Sequence, residues 1–180
     1  MNTNELLRQL ITDATIEQQK IQKATKPKFD EVVGDFLSGD ALKNALDFFA
    51  FLKENKMNPR WAATSSWAVK HKNKHVCGIS LNASAWQYGV EPGAWYIDCA
   101  NLMEVLHEFA DCESLKKILW ANVKYCSKCC SCGPGWDADV MGKQFENICR
   151  IVIKNPDAEA LMYAKQLVLA SKKYVAEVYK

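Results

Sequence analysis

The N-terminal part of the chain has apolar residues at helical spacing. Over residues 3–23, apolar side chains recur every three or four positions with glutamine and lysine between them, and this pattern predicts a helix. A second, short helix is predicted over residues 30–37, and Asp40 is predicted to cap a third. The apolar stripe of the third helix is Leu42, Ala45, Leu46, Phe49 and Leu52. Residues 1–56 are therefore predicted to form a helical segment.

Residues 65–81 alternate apolar and polar side chains with a period of two, which predicts a β-hairpin. A three-residue loop at residues 72–74 puts the large apolar side chains on one face and Val76 on the other, whereas a two-residue loop at Asn73-Lys74 scatters the apolar groups over both faces. The pairs predicted by the three-residue loop are Ser65 with Leu81, Trp67 with Ile79, Val69 with Cys77 and His71 with His75. A further strand over residues 94–99 completes a set of antiparallel strands within residues 60–100.

Helical spacing returns after residue 100. Apolar positions predict one helix from Leu102, Val105, Leu106 and Phe109, and a second from Leu115, Ile118 and Leu119. Another helical face is predicted from Phe145, Ile148, Cys149 and Val152. The last helix is predicted to begin with Asn155 as its cap and Pro156 at its first position, and to run to the C-terminus. Residues 101–180 are thus predicted to be a helical segment that contains a cysteine-rich loop at residues 126–135.

The order of helices, then strands, then helices predicts an α+β fold. We expect a small antiparallel sheet with helices packed on one face, and long N- and C-terminal helices. The chain has 180 residues and neither an internal repeat nor a Gly/Ser linker, so residues 1–180 are predicted to form a single domain. A composition that is 49% hydrophobic and 24% charged is typical of globular proteins and argues against a disordered chain or a coiled coil.

Net charge and targeting signals limit the partners and the cellular compartment that we expect. The net charge of +2 gives no overall field for nucleic acid or an anionic membrane, so we expect neither as a partner. Residues 1–25 carry charges throughout and lack the apolar region of a signal peptide, and no window approaches the roughly 20 apolar residues of a membrane span. We therefore expect a cytoplasmic protein. In that reducing compartment, the eight cysteines indicate core thiols, metal ligands or redox groups before disulfides.

The strongest local signal for chemistry is a C-x-x-C-x-x-C pattern formed by Cys126, Cys129 and Cys132. This spacing lets neighbouring thiolates approach one ion, which predicts a structural zinc site. Cys149 is the preferred fourth ligand, because glycines in between let the chain turn back, and Cys130 is the local alternative. Two other interpretations stay open for this loop: free or redox-active thiols, and an iron–sulfur cluster that lacks the usual C-x-x-x-C-P ending.

Aromatic residues suggest a second candidate site. Trp86 and Tyr88 lie in a predicted loop between strands, and Trp95 begins the next strand. Rings mixed with amide groups can line a pocket for a small apolar or aromatic ligand, so these three residues are the candidate ligand-binding set. The hairpin histidines with Cys77 form a weaker candidate for a second soft-metal site, while Cys77 and Cys99 are expected to be core thiols. The basic run over residues 70–75 is interpreted as a solvated hairpin end.

No catalytic residue can be assigned, because the sequence contains no recognisable nucleophile–base order, phosphate-binding glycine loop or metalloprotease helix. The sequence therefore favours a non-enzymatic, zinc-stabilised module that binds a small ligand or a protein partner through its aromatic loop. The alternative is a thiol-based redox protein or sensor that uses the cysteine loop. A helix is expected before this loop, whereas thioredoxin-like enzymes place their C-x-x-C after a strand and at a helix N-terminus.

Several motifs together resemble a family of uncharacterised bacterial cytoplasmic proteins, over about residues 45–180. The matching residues are Asn58-Pro59-Arg60-Trp61, Trp67, Lys70, Val76-Cys77, the loop from Cys126 to Gly135, Gly142-Lys143-Gln144-Phe145 and Cys149. The resemblance implies a compact α+β domain and no known reaction, so it supplies no catalytic residue. It also implies that the cysteine loop and the later cysteine belong together, which supports Cys149 as the fourth ligand.

Overall fold

The computed structural model describes residues 17, 20–81, 93–126 and 134–179. Residues 17 and 20–25 are helical; the rest of the helix predicted over residues 3–23 lies outside the described residues. The later helices are α1 (Phe29–Phe36), α2 (Gly39–Glu54), α3 (Leu102–Val105) with a 3-10 turn at Leu106–Phe109, α4 (Glu113–Ala121) and α5 (Ala158–Val178). The strands are β1 (Arg60–Ala63), β2 (Ser66–His71), β3 (Lys74–Leu81), β4 (Trp95–Cys99), β5 (Val123–Tyr125), β6 (Trp136–Val140) and β7 (Lys143–Lys154).

The strands form one antiparallel sheet in the order β1-β2-β3-β4-β7-β5, and β6 also pairs with β7. Helix α5 packs across β2, β3 and β4 on one face of this sheet. The predicted α+β class, with an antiparallel sheet, helices on one face and a long C-terminal helix, is confirmed. Within the described part of the chain, no helix has the length and apolarity needed to cross a membrane.

Alternation along the strands divides the sheet into an inner and an outer face. On the inner face, Trp67, Ile79, Ile97 and Ile153 stand opposite one another on successive strands, and all four are buried in the main core. The buried side of α5 covers this row, with members such as Leu167 and Val168. The outer face carries a row of Ala68, Gly78, Asp98 and Val152. Two of these four outer-face residues, Ala68 and Gly78, are small.

The central pairs of the hairpin are confirmed, but its tip differs from the prediction. Val69 pairs with Cys77 as expected, whereas His71 pairs with Lys74 and not with His75. The turn is the two residues Lys72-Asn73, whose φ values of 48° and 63° are both left-handed, as a type I′ turn requires. A bulge beyond Val69 absorbs the difference in register.

The same bulge corrects the prediction for Val76. Because of the bulge, Val76 and Cys77 are both fully buried, although Val76 was expected on the solvent side. The Val76 carbonyl accepts hydrogen bonds from the Ala100 amide at 2.9 Å and from the hydroxyl of buried Ser171 at 3.2 Å. Helix α5 thus stabilises the irregular end of the hairpin.

The helix predicted from Phe145, Ile148, Cys149 and Val152 is wrong, because these residues lie in the long strand β7. Strand β7 pairs irregularly with both β5 and β6, and Asn147 adopts a left-handed conformation at φ 54°. These irregularities interrupt the two-residue alternation, so buried Phe145, Ile148 and Ile151 recur every three residues. The strand therefore imitates helical spacing.

Two predicted caps are also wrong. Ser38, rather than Asp40, occupies the cap position of α2, and Asp40 lies in its first turn. Helix α5 is capped by Asp157, whose side chain accepts a 2.8 Å hydrogen bond from the Ala160 amide. Asn155 instead accepts a 2.8 Å bond from the Trp95 amide, so it joins the sheet and not the helix.

Candidate functional site

The cysteine loop begins at the end of β5, a short strand that follows α4 where a helix was expected directly before the loop. Cys126 is buried at 8% exposure. Its amide donates to the Asn147 carbonyl at 2.7 Å, and its carbonyl accepts from the Asn147 side chain at 2.9 Å. The predicted ligands Cys129 and Cys132, with the alternative Cys130, lie outside the described residues.

The far end of the loop meets the same asparagine. A Cβ on Gly135 would lie 2.8 Å from the Asn147 carbonyl oxygen, so only glycine fits this close approach. Two residues later, the Asp137 carboxylate accepts a 2.8 Å bond from the Asn147 amide. Both described ends of the loop are therefore held against β7 at a residue that lies two positions before Cys149.

Cys149 is half-buried where β7 bulges against β5. It lines a cavity of about 240 Å³ together with Cys99, Trp136 and Met103. The pairing of β5 with β7 thus places the strand that carries Cys149 beside β5, which ends one residue before Cys126. Among the described residues, no three His, Cys, Asp or Glu side chains form a group that could hold a metal ion. The zinc site remains a prediction, since three of its candidate cysteines fall outside this part of the chain.

Cys77 and Cys99 stand directly opposite each other on β3 and β4. The next pair towards the end of the ladder is hydrogen-bonded, from the Ala100 amide to the Val76 carbonyl, so the two cysteines occupy a non-hydrogen-bonded position, where side chains approach closely. Burial raises the pKa of both thiols, and the Asp98 carboxylate raises each further. Both are therefore poor nucleophiles at neutral pH.

The weaker soft-metal candidate at the hairpin is not assembled. His71 and His75 are not paired, and Cys77 faces the inner core. His75 instead lies on the outer face beside Gly78, whose hypothetical Cβ would be 3.8 Å from the imidazole Nε2. Burial lowers the pKa of His75, while the nearby Asp98 carboxylate opposes that shift.

Asp98 is the acidic member of the outer-face row. Partial burial raises the pKa of its carboxyl group, and the Arg150 guanidinium, whose Nη1 lies 3.7 Å from a carboxylate oxygen, counteracts the shift. The ion pair leaves both side chains more than a third exposed, at 34% for Arg150 and 40% for Asp98. A pair this exposed contributes little to stability.

Of the three candidate ligand-binding aromatics, Trp86 and Tyr88 lie outside the described residues. Trp95 is fully buried, and its ring centroid is 6.1 Å from that of Phe48 on α2. Its indole N–H is buried without a hydrogen-bond acceptor among the described residues. Trp95 is thus a core residue in this structure, where packing against α2 accounts for its position.

Sequence reasoning missed a basic groove over β1 and β2. This groove has a volume of about 720 Å³, and its lining includes Lys56, Asn58, Arg60, Ala68, Lys70 and Lys72. None of the described residues that line it is acidic. The available signal was the alternation of a cation with alanine in Arg60-x-Ala62 and Ala68-x-Lys70, which puts small and cationic side chains on the same face of two strands.

Comparison with protein-family models finds no matching family, and searches of curated proteins and of solved structures find no similar protein. The resemblance to a bacterial cytoplasmic family therefore stays a hypothesis based on motifs.

Proposed function

We propose that this chain is a non-enzymatic, cytoplasmic module that is stabilised by zinc and binds a small ligand or a protein partner. Cys126, Cys129, Cys132 and Cys149 would hold the ion. The observation that carries the proposal is that both described ends of the cysteine loop meet Asn147, two residues from Cys149. This anchoring supports a fourth ligand from β7 over the local alternative, Cys130.

The chemistry of the surroundings also suits a thiolate site. Four thiolates around Zn²⁺ leave a net negative charge, which nearby cations stabilise. Lys124 lies on β5, two residues before Cys126, and can supply such a cation. Lys143 begins β7, but its ammonium lies over the rings of Trp120 and Phe145. The cysteine loop joins β5 to β6, and both of these strands pair with β7. This strand–loop–strand context favours a structural metal knuckle over a thioredoxin-like redox motif, which leads into a helix.

Metal content tests the proposal. Protein purified without chelator is expected to carry about one zinc per chain, and chelation is expected to lower its melting temperature, because an ion that binds only the folded state stabilises it. Cys149→Ser should lose zinc, whereas Cys112→Ser, at the N-terminus of α4, should keep it. Full zinc content in Cys149→Ser would move the fourth position to Cys130. Metal-free protein with eight titratable thiols would refute the proposal.

The ligand part of the proposal rests on Trp86 and Tyr88. Trp86→Ala is expected to leave fold and zinc content unchanged and to abolish the thermal shift from any small molecule that binds at the aromatic loop. A thermal shift that survives this substitution would place the ligand elsewhere on the module.

The redox alternative makes an opposite set of predictions. In that case the purified protein is metal-free, and Cys126 forms a reversible disulfide with Cys129 or Cys132 across a series of redox potentials. Thiol labelling of folded protein at each potential measures this directly. Zinc-loaded protein whose loop thiols stay reduced over the same series would exclude the alternative.

A further inference from the structure

The groove over β1 and β2 combines long cationic side chains with a small-residue floor. Arg60 on β1 stands opposite Ala68 on β2, and Lys70 follows two residues later on the same face. Diagonal neighbours of this kind have Cα atoms about 7–8 Å apart, within reach of long side chains. Because Ala68 projects only a methyl group between them, the two cations can converge on one anion above it.

Two further cations approach from outside the strands. Lys56 ends the turn after α2, and Lys72 lies in the hairpin turn. Both side chains are exposed and line the same groove as Arg60 and Lys70. The Lys72 ammonium donates to the Ala176 carbonyl in the last turn of α5 at 3.3 Å, so Lys72 lines the edge of the groove while its charge is held at the end of that helix.

The positive charge in the groove is not neutralised by the described chain. No ion pair joins Lys56, Arg60, Lys70 or Lys72 to a carboxylate of the described residues, and no acid is among the described lining residues. Like charges held together repel, and a bound anion relieves that repulsion. Arginine binds phosphate oxygens through two parallel N–H donors, while lysine contributes compact positive charge.

We propose that this groove binds a small molecule that carries a diphosphate or triphosphate group. Its volume of about 720 Å³ lies within the usual range of about 300–1,000 Å³ for small-ligand sites. Lys56, Arg60 and Lys70 supply three positive charges, and Lys72 adds a fourth at the edge of the groove. This charge suits the three to four negative charges of such a group, whereas a single carboxylate would leave most of it uncompensated. The groove lies at the β1 end of the strand order and the cysteine loop at the β5 end, so this site does not depend on the proposed zinc site.

Calorimetry with inorganic triphosphate tests the proposal on the full chain as purified. Wild-type protein is expected to bind triphosphate at micromolar to submillimolar concentration. Arg60→Gln and Lys70→Gln should each weaken binding at least fivefold, and Ala68→Glu, which adds a carboxylate to the floor, should abolish it. Lys117→Gln is the matched control, since Lys117 is exposed on α4 and away from the groove, and it should change affinity less than twofold.

Each other outcome contradicts the proposal. Absence of binding up to 1 mM triphosphate would overturn it. Equal weakening of binding by Lys117→Gln and Arg60→Gln would also overturn it, because that result indicates a nonspecific charge effect. A single-stranded oligonucleotide that competes and binds at least tenfold more tightly than triphosphate would assign the groove to a nucleic-acid backbone instead. Melting temperatures of the ligand-free variants, expected to match wild type because Arg60 and Lys70 are exposed, control for loss of fold.

Discussion

A buried glutamine ties the N-terminal helical segment to the turn between β1 and β2. Gln22 is 5% exposed, and its side-chain oxygen Oε1 accepts a 2.6 Å hydrogen bond from the Ser65 amide. The Gln22 side chain also lies within hydrogen-bonding distance of the Ser65 hydroxyl, at 3.2 Å from its nitrogen and 3.3 Å from its oxygen. Ser65 is itself 1% exposed and left-handed at φ 53°, and Gln22 is the partner of its buried amide and hydroxyl, while the Ser65 carbonyl accepts from the Leu81 amide.

We expect Gln22→Met to destabilise the protein by about 1–3 kcal/mol. Methionine keeps the unbranched shape of glutamine but leaves the Ser65 amide buried without an acceptor, which costs about 1–3 kcal/mol. The lost hydroxyl contact adds about 1 kcal/mol, and the extra apolar surface of methionine returns a similar amount. The net effect is therefore close to the cost of the unsatisfied amide.

Equilibrium urea unfolding measures this difference. Lys23→Met, at the exposed neighbouring position, is the control and should change the free energy of unfolding by less than about 0.5 kcal/mol. An unchanged stability in Gln22→Met would refute the reasoning, because it would mean that the Ser65 amide finds another partner. A loss equal to that of Lys23→Met would assign the effect to the helical segment and not to the hydrogen bonds.

The other predictions concern the sheet and its thiols. Ile79→Ala should cost about 2–5 kcal/mol in urea unfolding as a cavity-forming change, and a cost below 1 kcal/mol would contradict the inner-face assignment. Val76→Thr should cost about 1–3 kcal/mol, since it buries a hydroxyl, and a neutral result would mean that Val76 is solvated. Above pH 9.0, the unfolded chain releases the protons of Cys77 and Cys99 while the folded chain keeps them, so each thiol should lower the free energy of unfolding by about 1.4 kcal/mol per pH unit. A Cys77→Ala/Cys99→Ala variant with the same alkaline slope would contradict that assignment.

The strand register could be predicted best where one face of the sheet is buried, because burial restricts which residues can face each other. The pairs Trp67–Ile79 and Val69–Cys77 could be predicted because any other register would expose large apolar side chains. At the hairpin tip no such penalty exists, since Lys72 and Asn73 are exposed, and the backbone preference for a type I′ turn decides the geometry. The geometry of an exposed turn therefore has to be predicted from the conformational preferences of its residues, because the hydrophobic pattern does not restrict it.

Strand β7 shows the limit of periodicity. Its pairing irregularities allow Phe145, Ile148 and Ile151, which are three residues apart in the sequence, all to be buried. A spacing of three cannot be distinguished by pattern from that of a helix. The β-branched run from Ile151 to Ile153 was the remaining signal for a strand. The closeness of Cys126 to β7 could not be predicted either, because it depends on Asn147 and on the pairing of β5 with this strand.

The basic groove was missed for a different reason. Its cations come from the turn after α2, from β1 and from the hairpin, and they come together only when β1 pairs with β2. A net charge of +2 hides such a local concentration. Cysteine spacing, by contrast, is local, so the candidate metal loop could be proposed from sequence alone.

X-ray absorption at the zinc edge of chelator-free protein tests the central claim most directly. Our account predicts an edge of about one zinc per chain with four sulfur ligands at about 2.3 Å, and one sulfur fewer in any zinc retained by Cys149→Ser. A zinc shell dominated by nitrogen or oxygen, or protein with no zinc edge, would contradict the account.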